Sequence, residues 1–168
     1  QAARYFGSST IVVTIEAIKQ PNGTYEAFID NGREHTGKEV VSWAKEVAHL
    51  GAGEIVITSV DQEGTGKGFD LDLTRSVADA VDIPVIASGG AGSVQDVAGV
   101  FKRGHADAAA VASILHYGYI HQTEDMGHHE QEGNVEFLKK RRAYGSITPA
   151  SIFALKKHLV GNEVLCRI

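Results

Sequence analysis

The sequence predicts an α/β fold of consecutive parallel βα units, and three observations carry that prediction. Apolar runs of strand length recur four times along the chain. Segments with helical apolar spacing separate them. Small residues, glycine above all, follow the strand ends. Strands alternating with helices pair in parallel through right-handed crossovers.

Ile11-Val12-Val13-Thr14-Ile15 is a β-branched run bounded by Gly7-Ser8-Ser9, and predicts the first strand. Pro21-Asn22-Gly23 is a turn signal ahead of Tyr25-Glu26-Ala27-Phe28, so residues 19–36 read as a β-hairpin excursion. Thr36-Gly37-Lys38-Glu39 resembles a helix start, with Thr36 as cap and Glu39 three residues on. Val40, Val41, Ala44, Val47 and Ala48 then repeat at helical spacing until Gly51. Glu54-Ile55-Val56-Ile57-Thr58 is the second strand, followed by a polar loop over 61–68 and a helix over 72–80 with Leu73, Val77 and Ala80 inward. The third strand covers 85–87, and its helix runs from about 93 to 103. The fourth strand covers 108–112, and the last helix runs from about 149 to 159. Gly51-Ala52-Gly53-Glu54 and Gly104-His105-Ala106-Asp107 each join a helix to a strand through a glycine.

This pattern alone does not separate a barrel from an open sheet. Four βα units are half of an eight-unit barrel, which takes about 250 residues. Four parallel strands would leave two raw edges, which soluble proteins avoid. The chain is therefore expected to be a single domain, 1–168, with an N-terminal half missing or a second copy closing it. A loop insertion at about 117–147 is expected to overhang the strand ends as a lid, a partner contact or an inert excursion, with a short helix over 134–142.

Composition narrows the class. The 168 residues are 43% hydrophobic and 22% charged with 19 glycines, which describes a soluble globular protein with close backbone approaches. The net charge of −5 argues against a nucleic-acid partner. No apolar run approaches the roughly 20 residues that span a bilayer, and Gln1-Ala2-Ala3-Arg4 is no signal peptide. The single cysteine, Cys166, fits a reducing, cytoplasmic location.

The most informative segment is Ala87-Ser88-Gly89-Gly90-Ala91-Gly92, directly after Ile83-Pro84-Val85-Ile86. Its glycines leave backbone N–H groups uncovered at the mouth of a helix, where free donors and the helix dipole favour an anion. The neighbouring strand end, Ala112-Ser113, is equally small, so a phosphate is expected between the two. Glu16, read as lying just after the first strand, is the candidate general acid or base. Asp61 and Glu63, two apart on what reads as an extended segment of a glycine-rich loop, are expected to face the same ligand. His116, His121, His128 and His129 show no converging zinc spacing, so neither a metal nor an organic cofactor is expected.

Val13-Thr14-Ile15-Glu16-Ala17, Gly51-Ala52-Gly53-Glu54-Ile55, Thr58-Ser59-Val60-Asp61-Gln62-Glu63-Gly64-Thr65, Gly68-Phe69-Asp70, Ile86-Ala87-Ser88-Gly89-Gly90-Ala91-Gly92 and Ala112-Ser113-Ile114-Leu115-His116 occur in that order. The set resembles the C-terminal half of the cyclase subunit of imidazole glycerol phosphate synthase, a histidine-pathway (βα)8 TIM barrel. The resemblance implies a lyase-type cyclase that takes ammonia from a glutamine amidotransferase partner. It implies a bis-phosphorylated aminoimidazole carboxamide ribonucleotide as substrate, giving imidazole glycerol phosphate and aminoimidazole carboxamide ribotide. Of its two catalytic acids, one would precede Gln1 and the other maps onto Glu16. One phosphate would rest on Gly64, Gly90, Ala112 and Ser113, supported by Gly89. Ser88 and Glu63 would line the pocket, with Thr58 and Asp61 beside it.

Two features depart from the family pattern: glutamate at 16, where aspartate is general, and the long 117–147 segment. Both resemble paralogues that supply nitrogen for an acetamidino group on a surface-polysaccharide sugar. A reading from another class is a non-catalytic, phosphate-binding half-barrel that dimerises.

Overall fold

Six strands form one sheet in the order β3-β2-β1-β4-β5-β6, in a computed structural model that describes residues 1–122 and 146–168. The strands are β1 (Val12–Lys19), β2 (Tyr25–Ile29), β3 (Glu34–Glu39), β4 (Glu54–Ser59), β5 (Val85–Ser88) and β6 (Ala108–Ala109). The helices are α1 (Ala2–Phe6), α2 (Val40–His49), α3 (Leu71–Ala78), α4 (Val94–Gly104), α5 (Ser113–Gln122) and α6 (Ile152–Gly161).

β1, β4, β5 and β6 pair in parallel in strict chain order. A doubly wound sheet reverses strand order and carries helices on both faces. Among the described residues the parallel strands show neither feature. Ile15, Ala17, Ile55, Ile57 and Val85 are buried against Val40, Ala44, Val47, Leu73 and Val77, and Ala87 is buried with Val97, Val100, Ile114 and Leu155. The alternate residues of the same strands stay half-buried or exposed, Val12 at 50% among them. Sequential parallel strands with every crossover on one side make an arc of a (βα)8 barrel. The uncovered face is the side such a barrel closes over.

Several boundaries differ from the sequence expectation, each for a local reason. β1 runs four residues past Ile15 because β2 pairs antiparallel with it from Glu16 to Lys19. Glu16 therefore sits within the strand rather than after it. Thr36 and Gly37 do not start a helix but form an irregularity in β3. The Thr36 hydroxyl donates to the Ala27 carbonyl at 2.5 Å, and Gly37, at φ +69°, donates its N–H to Glu26. The helix starts at Val40 instead, where the Glu39 carboxylate accepts from the Val41 and Ser42 N–H groups. Asp70, Ser93 and Ser151 cap α3, α4 and α6 in the same way.

β6 is two residues long, against the five expected, because the chain turns into α5 at Ser113. The interruption expected from 117 is thus helix to Gln122, and the rest of it, with His128, His129 and the helix expected over 134–142, lies outside the described residues. At the α4 end His105, not Gly104, takes the left-handed position, at φ +57°. Gly104 is required instead for space, since a Cβ there would lie 3.0 Å from Val100 Cγ2. Gly51, at φ +99°, ends α2 as expected. Among the described residues no helix is long and apolar enough to cross a membrane.

Burial works to raise the Glu39 carboxyl, but the Val41 and Ser42 N–H groups and the Ser42 hydroxyl outweigh it and hold it below the usual range. Its folded pKa lies under its unfolded one. The stabilisation is therefore present above the unfolded value and lost as pH falls through the folded value. Glu39→Ala is expected to cost about 1 kcal/mol at neutral pH, and urea unfolding across a pH series should show the gap closing in acid.

Candidate functional site

The loop after β4 and the loop after β5 meet backbone to backbone, and glycine is the residue that permits it. The Gly68 N–H donates to the Gly90 carbonyl at 2.8 Å. A Cβ on Gly90 would fall inside contact with the Gly68 carbonyl oxygen, and one on Gly92 inside contact with that of Gly66. The irregular segment from 146 to 150 adds a third layer. The Thr148 N–H donates to the Gly92 carbonyl at 2.7 Å, and the Ser146 hydroxyl donates to the Thr65 carbonyl at 2.6 Å.

These contacts enclose a cavity of about 180 Å³ at the C-terminal ends of β5 and β6. Seven of the residues singled out from the sequence line it: Glu63, Gly64, Ser88, Gly89, Gly90, Ala112 and Ser113. Among the described residues the N–H groups of Gly64, Gly90 and Ala91 donate to no backbone or side-chain acceptor. Among the described residues no cation lines the cavity. Neutral amides and the α5 N-terminus at Ser113 supply the positive potential, the arrangement that suits a phosphate. Glu63, whose Oε2 lies 3.1 Å from where a Gly89 Cβ would stand, is suited to accept from a ligand hydroxyl rather than to meet the phosphate.

Sequence reasoning looked to the helix after Gly92 for the anion site, and the structure puts its own carboxylate there. Asp96 Oδ2 accepts from the Gly92 N–H at 3.1 Å and from the Ser93 hydroxyl at 2.8 Å, closing the α4 N-terminus. The open N-terminus is that of α5, a helix the sequence reading did not separate from the 117–147 segment. Gly66, Ala91, Ala110, Val111 and Ile147 also line the cavity and were not foreseen. The signal available for Gly66 was its place in a glycine triplet. Ile147 had none, since only the fold returns it to the cavity.

Thr58 pairs with Glu16 on one side and with Ser88 on the other. The three form one row across the uncovered face at the C-terminal end of the strands. With strands about 4.8 Å apart, the row spans about 10 Å from Glu16 to Ser88. Glu16 lies outside the cavity, and its Oε2 accepts from the Gly32 N–H at 2.9 Å. Asp61 goes elsewhere. Residues 60–65 form turns rather than an extended segment, so Asp61 and Glu63 face different places. Asp61 Oδ2 accepts from the Lys19 N–H at 2.9 Å and lines an open groove with Phe69, Asp70 and Asp72. Beside that groove burial, then the hydroxyl's bond to Asp70, pushes the Tyr25 phenol up. Among the described residues no three His, Cys, Asp or Glu side chains converge in a way that would hold a metal.

A family model described as histidine biosynthesis protein matches residues 1–121. Three similar proteins each bear the name imidazole glycerol phosphate synthase subunit HisF. One from Alkaliphilus metalliredigens is 52% identical over 118 residues, 70% of this chain and 47% of its own. One from Prochlorococcus marinus (strain AS9601) is 55% identical over 118 residues, 69% and 46%. One from a Synechococcus species is 48% identical over 131 residues, 76% and 51%. The chain spans about half the length of these relatives.

Gly92→Ala should force the two loops apart at the Gly66 and Ser146 carbonyls, which lie within contact of the added methyl. A loss of about 1–3 kcal/mol is expected, together with weaker inorganic phosphate binding, read by denaturation and by calorimetric titration.

Proposed function

The chain belongs to the histidine biosynthesis protein family, and from that premise we propose that it is the C-terminal half of a (βα)8 cyclase, the cyclase subunit of imidazole glycerol phosphate synthase. One observation carries the reading. An amide-lined cavity fit for a phosphate and a carboxylate fit for proton transfer share a single sheet face, joined by the row Glu16, Thr58 and Ser88.

The substrate is an aminoimidazole carboxamide ribonucleotide with a phosphate at each end. One phosphate rests on Gly64, Gly89, Gly90, Ala112 and Ser113. The sugar-derived chain then lies along the row, with Ser88 and Glu63 to hydrogen-bond its hydroxyls and Thr58 midway. Ammonia attacks the chain's carbonyl carbon, water leaves, and ring closure expels aminoimidazole carboxamide ribotide as imidazole glycerol phosphate forms. The carbonyl and amine steps move protons at oxygen and nitrogen, and aromatisation of the new ring takes one from the chain carbon beside the former carbonyl, transfers that a strand-end carboxylate such as Glu16 can make. The ammonia is supplied by a glutamine amidotransferase partner. Asp61, held to the end of β1, acts by fixing that strand end and not by touching the ligand.

The same proposal accounts for the face that no helix covers among the described residues. The outer edge of β1 is paired only from Glu16 to Lys19, leaving Val12–Ile15 open, and β6 is the opposite edge of the sheet. Four further βα units would pair both edges and bring the second phosphate site and the second catalytic acid. The matched 118 residues make up about half of the relatives, which fits that requirement.

In the complete enzyme, with ammonium as nitrogen donor, Glu16→Gln is expected to lower kcat by at least about a hundredfold. Undiminished turnover would remove Glu16 from the chemistry. Ser113→Asp places a like charge against the bound phosphate and should raise KM about tenfold or more. An unmoved KM would put the phosphate elsewhere.

A further inference from the structure

The turn joining β2 to β3 lies across the sheet face that carries Glu16. Asp30, Asn31 and Gly32 are all left-handed, at φ +52°, +56° and +77°. Asp, Asn and Gly are the residues that adopt this conformation most readily, so the sequence itself sets the tight tip. The Arg33 N–H closes it onto the Ile29 carbonyl at 3.1 Å. Gly32 then sits against Ile18 and Val60, where a Cβ would come within 2.7 Å of Val60 Cγ1 and 3.5 Å of Ile18 Cδ1. Ile18 stands two residues along β1 from Glu16 and therefore shares its face. The irregular pairing between Ala27 and Phe28 bends β2 and β3 and aims the tip over that face.

From this position Gly32 donates its N–H to Glu16 Oε2 at 2.9 Å. Among the described residues it is the one hydrogen bond the carboxylate receives, and it goes to Oε2, not to Oε1. An aspartate at 16 would fall about one C–C bond, ~1.5 Å, short of that donor. Glutamate and the left-handed tip fit each other.

We propose that the β2–β3 tip is the positioning element of the Glu16 carboxylate, with Gly32 as the positioning residue. The backbone N–H fixes one carboxylate oxygen so that the other faces the row toward Ser88. This rests on the reading of Glu16 as acid or base. A positioned group displaced by about 1 Å loses rate steeply, so the effect belongs in kcat rather than KM.

The test is a double-mutant cycle in the complete enzyme with ammonium as nitrogen donor, with Glu16→Gln as the reference. Glu16→Asp withdraws the carboxylate from the tip, and Gly32→Ala moves the tip from the carboxylate. Each alone is expected to lower kcat about tenfold with KM within twofold. Combined, they should lower kcat no further than about twofold beyond either single change, because both break one contact. A Glu16→Asp enzyme as fast as the parent, or factors that multiply in the double variant, would overturn the proposal, because a purely structural Gly32 acts independently of residue 16. Should Gly32→Ala fail to fold, Glu16→Asp decides alone. Active Glu16→Gln sinks the acid–base reading itself, whereas inactive Glu16→Gln with multiplying factors sinks only the positioning role.

Discussion

The candidate site depends on one contact: the backbone of residues 64–68 pressed against the backbone of residues 89–92, with no side chain between. Gly66 and Gly92 face each other, as do Gly68 and Gly90, at separations no Cβ could occupy. The hydrogen bond from Gly68 to Gly90 fastens the pair. A second consequence follows from the same scarcity of side chains. The N–H groups of Gly64, Gly90 and Ala91, in the cavity lining, are left without an acceptor among the described residues, and a dianion can use such amides. Glycine here is the structural requirement and the binding chemistry at once.

The sheet's two faces have divided the labour. One is filled by Ile15, Ile55, Ile57 and Val85 under α2 and α3, which fixes the strand register, because a slip by one residue would turn that whole set outward. The other carries Glu16, Thr58 and Ser88 in line. Burial on the helix side thus sets the alignment of polar groups on the open side. A substitution in the core would be felt in the site as a change of register or height, without touching a ligand.

The β2–β3 hairpin departs from the repeated βα units, and it meets Glu16 from outside the barrel pattern. It pairs with the half of β1 that carries Glu16 and folds its tip back onto the same face. Under the proposed function, phosphate grip and proton transfer are built by different means. The first comes from consecutive strand ends, the second from a strand side chain steadied by a neighbouring turn.

Amino-acid order alone determined the strand–helix alternation, the parallel pairing and the small-residue strand ends, because these are local matters of periodicity, capping and backbone freedom. Ser88, Gly89, Gly90, Ala112 and Ser113 were legible for that reason, while Gly64 came to the phosphate through the family resemblance. Tertiary structure decided what depends on direction. Asp61 and Glu63 part company because the chain turns between them; Asp96 closes the helix that seemed open; α5, at Ser113, supplies the open one. Ile147 and Gly32 reach the site only when segments distant in sequence fold against β4, β5 and β1. No local pattern carries such contacts, since they are set by the packing of one element on another and not by the residues beside them.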